Sequence, residues 1–305
     1  MSREILFTLL AVLLIASLCI SPSQFFSFSI EGIEHKERVE KAVNDVLALQ
    51  GATTIPKPPI LAGQSFELYI NLANLDETRT IKNVEVEVFD PSVFKLTGSS
   101  SQTVDLLPLD EKVVSFTLEA PGAEEIANVR ITPKISYRVL YGFEALSSYE
   151  VVVVNKEEIK RLQQAGKSVS IVSNKILGSG PVKIYMELVG TDVMISGTTA
   201  TLRVILKNEG SGYLKDERIE AGKLKLVFPS GITLREWNGK MFSCSGSTCE
   251  NAEPIELFMR ESPALIFKIG APSISEPYKT FKITAKASYT YELRGSTDVT
   301  IQPLG

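Results

Sequence analysis

ITPKISY, at residues 131–137, returns almost unchanged as ITAKASY at residues 283–289. In each copy apolar side chains alternate with polar ones, and a period of two is typical of a strand with one buried face. We therefore expect Ile135 and Tyr137 to point inward and Lys134 to face solvent, with the second copy behaving alike. The repeat predicts a duplicated β-domain in which these residues serve folding rather than binding.

Three further segments recur in the same order. They are FELYINLAN (66–74) with ATLRVILKN (200–208), VEVEVFD (84–90) with KLKLVFPSG (223–231), and VVSFTLEAP (113–121) with ALIFKIGAP (264–272). The alternation within each segment predicts short strands, and turn residues lie between them. The offset between the copies grows along the chain, so the second copy is expected to carry longer loops. This order predicts an all-β protein with two tandem β-sandwich domains.

The chain divides into five predicted segments. They are a hydrophobic signal or anchor helix with a short N-terminus at 1–24, an amphipathic stalk helix and linker at 25–52, the first sandwich at 53–155, a helical linker at 156–180 and the second sandwich at 181–305. The stalk helix is predicted from the spacing of Val39, Val43, Val46 and Leu47. The linker begins with the charged run NKEEIKRLQQAGK, in which Gly166 is expected to end a short helix.

Residues 5–20 form an uncharged apolar run, ILFTLLAVLLIASLCI. As a helix this run would extend about 24 Å, which is short for a bilayer core of about 30 Å. It is also longer than a signal-peptide core of roughly 7–15 residues. A cleaved secretory signal ending before Gln24 therefore stays open. The aromatic residues at 25–30 favour the alternative, in which residues 5–30 stay in the membrane as an anchor.

The orientation of the anchor depends on two opposing signals. Basic residues beyond the apolar run, such as Lys36 and Arg38, would keep the bulk of the chain in the cytoplasm, but glutamates are mixed among them. Cys244 and Cys249 enclose the four residues SGST, a spacing that suits a disulfide across a hairpin or a bulge. Because disulfides persist in oxidising compartments, we expect a single-pass membrane protein whose bulk is extracytoplasmic.

Charge and composition exclude several classes of function. A net charge of −4 and a pI near 5.4 argue against nucleic-acid binding. The single histidine, His35, lies in a charged run, which argues against histidine-dependent catalysis and zinc binding. The acidic pairs Glu124–Glu125 and Glu157–Glu158 lack the spacing of calcium or glycosidase sites. We therefore predict no catalytic residues, no metal, no cofactor and no small-molecule substrate.

Two regions resemble families of surface proteins. LAGQSFELYINLANLDE with IKNVEVEVFDP resembles the CARDB-type and S-layer-related Ig-like domains of archaeal and bacterial surface proteins. FPSGITLREWNGKMFSCSGSTCEN with ESPALIFKIGAP resembles the conserved repeat domain of such proteins. The resemblance covers roughly residues 55–155 and 180–303, although the first copy lacks the cysteine pair. It implies two tandem Ig-like β-sandwiches behind the N-terminal transmembrane or signal helix, at a cell surface.

The expected function is that of a non-enzymatic membrane-anchored protein for envelope scaffolding, adhesion or the ectodomain of a surface complex. Its expected partners are the membrane and other envelope proteins or a further copy of itself. Trp237, the one tryptophan, either packs over the disulfide or is a partner contact, since tryptophan is enriched at interface hot spots. The alternatives are a surface-filament subunit, assembling by strand addition or helix bundling, and a carbohydrate-binding or enzyme accessory module.

Overall fold

The computed structural model describes residues 33–303, and its regular structure is mostly β-sheet, as predicted. The predicted signal or anchor helix lies outside the described residues. Within them, the α-helix α1 spans Lys156–Gln164 and a 3-10 helix spans Lys215–Glu217. The strands, in chain order, are β1 (Ile33–Lys41), β2 (Leu47–Ile55), β3 (Ile60–Leu61), β4 (Ser65–Asn74), β5 (Ile81–Asp90), β6 (Lys95–Thr97), β7 (Ser101–Leu106), β8 (Glu111–Glu119), β9 (Lys134–Val154), β10 (Val169–Leu177), β11 (Val182–Leu188), β12 (Met194–Ile195), β13 (Thr199–Asn208), β14 (Tyr213–Leu214), β15 (Arg218–Ile219), β16 (Leu224–Val227), β17 (Thr233–Trp237), β18 (Phe242–Ser245), β19 (Thr248–Asn251), β20 (Ile255–Glu256), β21 (Leu265–Gly270), β22 (Tyr278–Asp298) and β23 (Ile301–Gln302).

None of the helices between residues 33 and 303 combines the length and the apolar character needed to span a bilayer.

Two strands of 21 residues, β9 and β22, form the centre of the structure. They pair antiparallel along their whole length, from Lys134 opposite Asp298 to Val154 opposite Tyr278. At about 3.3 Å per residue the pair extends for roughly 65 Å. Each strand contains at least part of one repeated phrase, so the two halves of the chain meet edge to edge. The result is one sheet of 11 strands shared by both halves.

The predicted alternation of the repeated phrases is confirmed. Ile135 and Tyr137 are buried on β9, whereas Lys134 is exposed. On β22 the burial alternates in the same way, with Ala287 and Tyr289 facing inward. These inward side chains belong to one apolar core cluster that includes residues of both halves.

The matched segments occupy equivalent places in the two halves. β4 lies between β2 and β8 in a four-stranded sheet, and β13 lies between β11 and β21 in another. β5 pairs with β9 as β16 pairs with β22. The turns correspond as well, because the carbonyl of Pro121 accepts from Gly63 N at 2.9 Å, and that of Pro272 accepts from Gly197 N at 3.2 Å. The repeat thus has a counterpart in the topology.

Strands from the two ends of the chain cross between the halves. β23, near the C-terminal end, pairs parallel with β3, and Ile301 and Ile60 are fully buried there. β2 lies against β22, and β11 lies against β9, so each four-stranded sheet covers the long strand of the other half. The predicted domain boundaries stay predictions, but helix α1 is not the sole connection between the halves.

The predicted stalk helix is wrong over the described residues. Residues 33–41 form β1, which pairs parallel with β10, and residues 47–55 form β2. Val39 and Val43, which suggested one face of a helix, are exposed. Valine is β-branched and favours strands, and pairing with a distant strand outweighed the weak helical spacing. The charged outer residues of β1 are typical of an edge strand that avoids aggregation.

The helical linker at 156–180 is partly correct. Helix α1 begins after Asn155, whose side chain accepts a hydrogen bond from Glu157 N at 2.8 Å. It ends before Gly166, whose φ of 58° favours glycine, as expected. Residues 169–177 are not helical, because they form β10 between β1 and β9.

The crossing of β23 leads to a stability prediction. Replacing Ile301 by alanine should lower the free energy of unfolding by about 2–5 kcal/mol, because the side chain leaves a cavity in a closed core. The loss should also speed amide hydrogen exchange around Ile60, more than 200 residues away in sequence. Gln302→Ala, at the half-buried neighbouring position, is the control and should change little. Unchanged exchange around Ile60 in the Ile301 variant would contradict the crossing.

Candidate binding surface

Trp237, the candidate partner contact, ends β17 at the edge of a four-stranded sheet. Its register partner on β21 is Phe267, which is buried. The pairing of β17 shifts between Leu234 and Glu236, and such bulges at sheet edges re-aim the side chains that follow. Trp237 is 39% exposed. Its ring is therefore accessible to a second molecule, although binding there stays a prediction.

An open cavity of about 510 Å³ lies beside Trp237. We name it the Trp237 cavity, and its apolar lining comes from Trp237, Met241, Phe242, Leu265 and Ile266. Glu236 and Lys268, also in the lining, form an ion pair at 2.9 Å. An apolar lining with a single ion pair suits an apolar side chain flanked by charges, as protein partners present, better than a small polar molecule.

The cavity wall is built by a turn that carries the chain from one sheet to the other. The backbone carbonyl of Asn238 accepts hydrogen bonds from the amides of Met241 and Phe242, at 3.1 and 2.9 Å. Phe242 then begins β18 and packs its ring edge-on against Phe267, with centroids 4.9 Å apart. Residues 233–245 thus supply an edge strand to each of two sheets.

Cys244 and Cys249 are register partners on β18 and β19. Their sulfur atoms lie 2.03 Å apart and their Cα atoms 4.1 Å apart. The hairpin turn between them contains Gly246 at a φ of 59°, a left-handed conformation that glycine adopts easily. This arrangement fits the predicted disulfide across a hairpin. The pair fastens the hairpin that begins with Phe242, one wall of the Trp237 cavity.

A buried lysine that sequence reasoning missed holds the end of β1. Lys183 is 1% exposed, and its ammonium donates to the carbonyl oxygens of Ala42, Val43 and Gly178 at 3.0, 2.9 and 2.7 Å. Three acceptors match the three protons of the ammonium. Burial lowers the pKa of Lys183 to about 8. Its place in the strand VKIYMEL gives no distinct sequence signal.

Further polar contacts surround this lysine. Lys41 pairs with Glu209 at 2.5 Å, and the hydroxyl of Tyr185 donates to the same carboxylate at 2.5 Å. Asp45 accepts a hydrogen bond from Ser211 N at 3.0 Å. Residues 41–45, at the end of β1 and directly after it, are therefore attached to the loop after β13. Together with β1, these residues are the first described part of the chain after the predicted membrane segment.

The acidic pairs behave as surface residues. Glu125 accepts a hydrogen bond from the amide of Gly122 at 2.6 Å, and Glu158 pairs with Arg161 at 2.7 Å on the exposed side of α1. Among residues 33–303, no group of three or more histidine, cysteine, aspartate or glutamate side chains is arranged to hold a metal ion.

Comparisons with known proteins identify no family. No family model matches the chain, and no curated protein matches it by sequence. Solved structures with partial similarity include the C-terminal globular domain of an oligosaccharyltransferase from Pyrococcus abyssi, at 11% identity and a TM-score of 0.24, covering 85% of this chain and 50% of that one. This chain therefore spans half the length of that domain.

Two other structures show similarity of the same order. One is a protein of unknown function from Porphyromonas gingivalis, at 11% identity and a TM-score of 0.21, covering 75% of this chain and 84% of that one. The other is the alpha-2-macroglobulin of Escherichia coli, at 10% identity and a TM-score of 0.21, covering 84% and 32%. Similarities this low carry no argument about function, and no family model supports the CARDB or S-layer resemblance.

The contacts of Lys183 predict how stability depends on pH. Lys183→Met should lower the free energy of unfolding by about 2 kcal/mol at pH 7, because three buried carbonyls lose their donor. In the wild type the folded pKa near 8 lies below the unfolded value of about 10.4, so the unfolded chain binds more protons between them. Stability from this group therefore rises with pH across that window, and the wild-type advantage over Lys183→Met should grow there.

Lys207→Met is the matched control, since Lys207 lies opposite Lys183 in the register but is exposed. Denaturant unfolding at pH 7, 8, 9 and 10 measures the free energy of unfolding of the wild type and of both variants. Equal effects of the two substitutions, or an advantage that shrinks as the pH rises, would contradict the assignment.

Proposed function

We propose that this chain is a non-enzymatic, membrane-anchored protein whose two Ig-like β-sandwich halves stand on the extracytoplasmic side of a cell membrane. There it scaffolds the envelope, mediates adhesion or forms the ectodomain of a surface complex, and it contacts a protein partner through the Trp237 cavity. The observation that carries this proposal is the pairing of Cys244 with Cys249 at bonding distance. Such pairs persist in oxidising compartments.

The construction of the long strands supports a scaffolding role. A strand pair of roughly 65 Å with sheets packed along it makes a stiff, extended body. Chain from both ends crosses between the halves, so a load on one half is shared with the other. A body of this kind holds a binding surface at a fixed distance from a membrane.

The attachment of residues 41–45 supports anchoring at the N-terminal side. Lys183 bonds the carbonyls of Ala42 and Val43, and Lys41 pairs with Glu209. A pull on the preceding segment would act first on the nine-residue parallel pairing of β1 with β10. Polar contacts at the end of β1 then pass that force to the rest of the sheet.

A filament subunit is the second candidate, favoured by the position of β1 at the edge of the 11-stranded sheet. A further strand could add to that edge. The charged side chains of β1, among them Glu34, Lys36 and Arg38, oppose indiscriminate pairing, which makes this the weaker candidate.

The test is the intact mass of the full-length protein, extracted from membranes under thiol-blocking conditions and measured before and after reduction followed by a second round of thiol blocking. We expect a chain that retains residues 1–32, with one blocked thiol before reduction, at Cys19, and three afterwards. In intact cells, an added protease that cannot cross the membrane should degrade residues 33–303. Three blocked thiols without reduction, together with full protection from the protease, would refute the extracytoplasmic placement. Cys244→Ser with Cys249→Ser is the control for the thiol count.

A further inference from the structure

A cavity of about 460 Å³ lies on the outer face of the ladder between β9 and β22, and we name it the ladder cavity. Its floor includes two residue pairs of the ladder, Gly142 opposite Thr290 and Glu144 opposite Ser288. Its wall comes from residues 215–223, between β14 and β16. Within the described chain the ladder cavity shares no lining residue with the Trp237 cavity, so the two are separate sites.

Gly142 leaves the floor of the ladder cavity open. A glycine inside a strand weakens the strand and often marks a place where a ligand or another backbone approaches closely. A Cβ atom added at Gly142 would meet nothing within 4 Å beyond its immediate chain neighbours. Close packing therefore does not require this glycine, and its effect is to keep space free above the ladder.

The wall of the ladder cavity belongs to a connection that is longer in the second half. Residues 209–222 connect two of the matched segments, and this connection is five residues longer than its equivalent at 75–83. It is held by two strand pairs, β14 with β22 and β15 with β20, and the carbonyl of Lys223 accepts from Ser288 N at 2.9 Å. Since the first half is built with the shorter connection, the added length is available for a binding surface.

The backbone of this wall is strained and is held in place. Asp216 and Glu217 have φ values of 58° and 53°, a left-handed conformation that non-glycine residues adopt at a cost. The carbonyl of Glu217 accepts a hydrogen bond from Leu257 N at 2.8 Å, which fixes the turn. Strain that the surrounding structure maintains clusters at ligand sites.

Two lysines of the ladder cavity have no ion-pair partner between residues 33 and 303. Lys215 and Lys223 both line the cavity and are exposed. Arg218, which also lines it, is different, because it pairs with Glu220 at 2.7 Å. The cavity therefore presents two ammonium groups that are available to an anionic group of a bound molecule.

We propose that the ladder cavity binds a sugar unit that carries a carboxylate. The ammonium groups of Lys215 and Lys223 bind the carboxylate. The hydroxyls of Ser288 and Thr290, which flank the buried Tyr289 on β22, bond to the hydroxyls of the sugar. The volume of about 460 Å³ lies within the roughly 300–1,000 Å³ of ligand pockets. The inference concerns a second site and does not rest on the proposed function.

The acidic side chains of the lining favour a sugar over a phosphate. Glu144 pairs with Lys286 at 2.5 Å and Glu220 pairs with Arg218, and a paired carboxylate still has lone pairs that accept hydrogen bonds. Asp216 forms no ion pair within the described chain. These three carboxylates repel a doubly charged phosphate, whereas the hydroxyls of a sugar donate hydrogen bonds to them.

The experiment is saturation-transfer NMR on the full-length protein, in a detergent without a sugar headgroup, with D-glucuronate as the probe. D-glucose, acetate and L-alanine replace the probe in parallel titrations, and inorganic phosphate is added as a competitor. We expect glucuronate to bind at least tenfold more tightly than any of the other four. Only glucuronate offers the carboxylate and the ring hydroxyls together, and tenfold corresponds to one further good contact.

Two variants test the site, and two others are matched controls. Lys215→Met with Lys223→Met should weaken glucuronate binding about tenfold or more, because the charge-assisted hydrogen bonds are lost. Gly142→Tyr should abolish binding, since the ring fills the cavity, and the fold should persist because the Cβ has room and tyrosine favours strands. Lys282→Met and Thr284→Tyr, at exposed positions of β22 outside the cavity, should bind like the wild type.

Three results would overturn the proposal. The first is a wild type that gives no saturation transfer to glucuronate up to about 10 mM, a concentration that detects millimolar affinity. The second is binding that survives unchanged in the lysine variant or in Gly142→Tyr. The third is an equal response to acetate, alanine or phosphate, which would make the cavity a site for charge alone. Denaturant unfolding verifies that each variant is folded.

Discussion

The antiparallel ladder between β9 and β22 is the interaction on which the rest of the structure depends. It joins the two halves along 21 residue pairs and removes the edge that each half would otherwise expose. Tyr141 and Tyr291 meet face to edge across it, with ring centroids 5.7 Å apart. Each four-stranded sheet then packs against the long strand of the other half, so neither half encloses its core alone.

The parts of this fold that depend on local pattern could be predicted from the sequence. Burial alternates within the repeated phrases because a strand with one covered face needs only its own residues to show a period of two. Helix α1 was predictable from its charged residues and from Gly166. The spacing of Cys244 and Cys249 suggested a hairpin pair, and their sulfur atoms are at bonding distance.

The remaining features depend on which strands pair, and a single sequence does not encode that locally. β1 pairs with β10, more than 130 residues further along the chain, and β23 pairs with β3, more than 200 residues away. Val39 and Val43 therefore misled, since a few valines at helical spacing are also compatible with an edge strand. Lys183 was missed for the same reason, because two of its three carbonyl partners come from residues 42 and 43, far away in sequence.

The candidate binding surface also combines residues that the sequence singles out with a geometry that depends on strand pairing. The sequence left open whether Trp237 packs over the disulfide or is exposed as a partner contact, and the cavity beside it required β17, β18 and β21 to be brought together.

The central claim is that the two halves are one cooperative unit built on the shared ladder. Denaturant unfolding, followed at the same time by Trp237 fluorescence in the second half and by amide exchange of β4 and β8 in the first, tests it most directly. The ladder predicts coincident transitions for the two probes, since neither half retains its covering strands when the other unfolds. Two separated transitions, with the first half still protected after Trp237 has reported unfolding, would contradict the account.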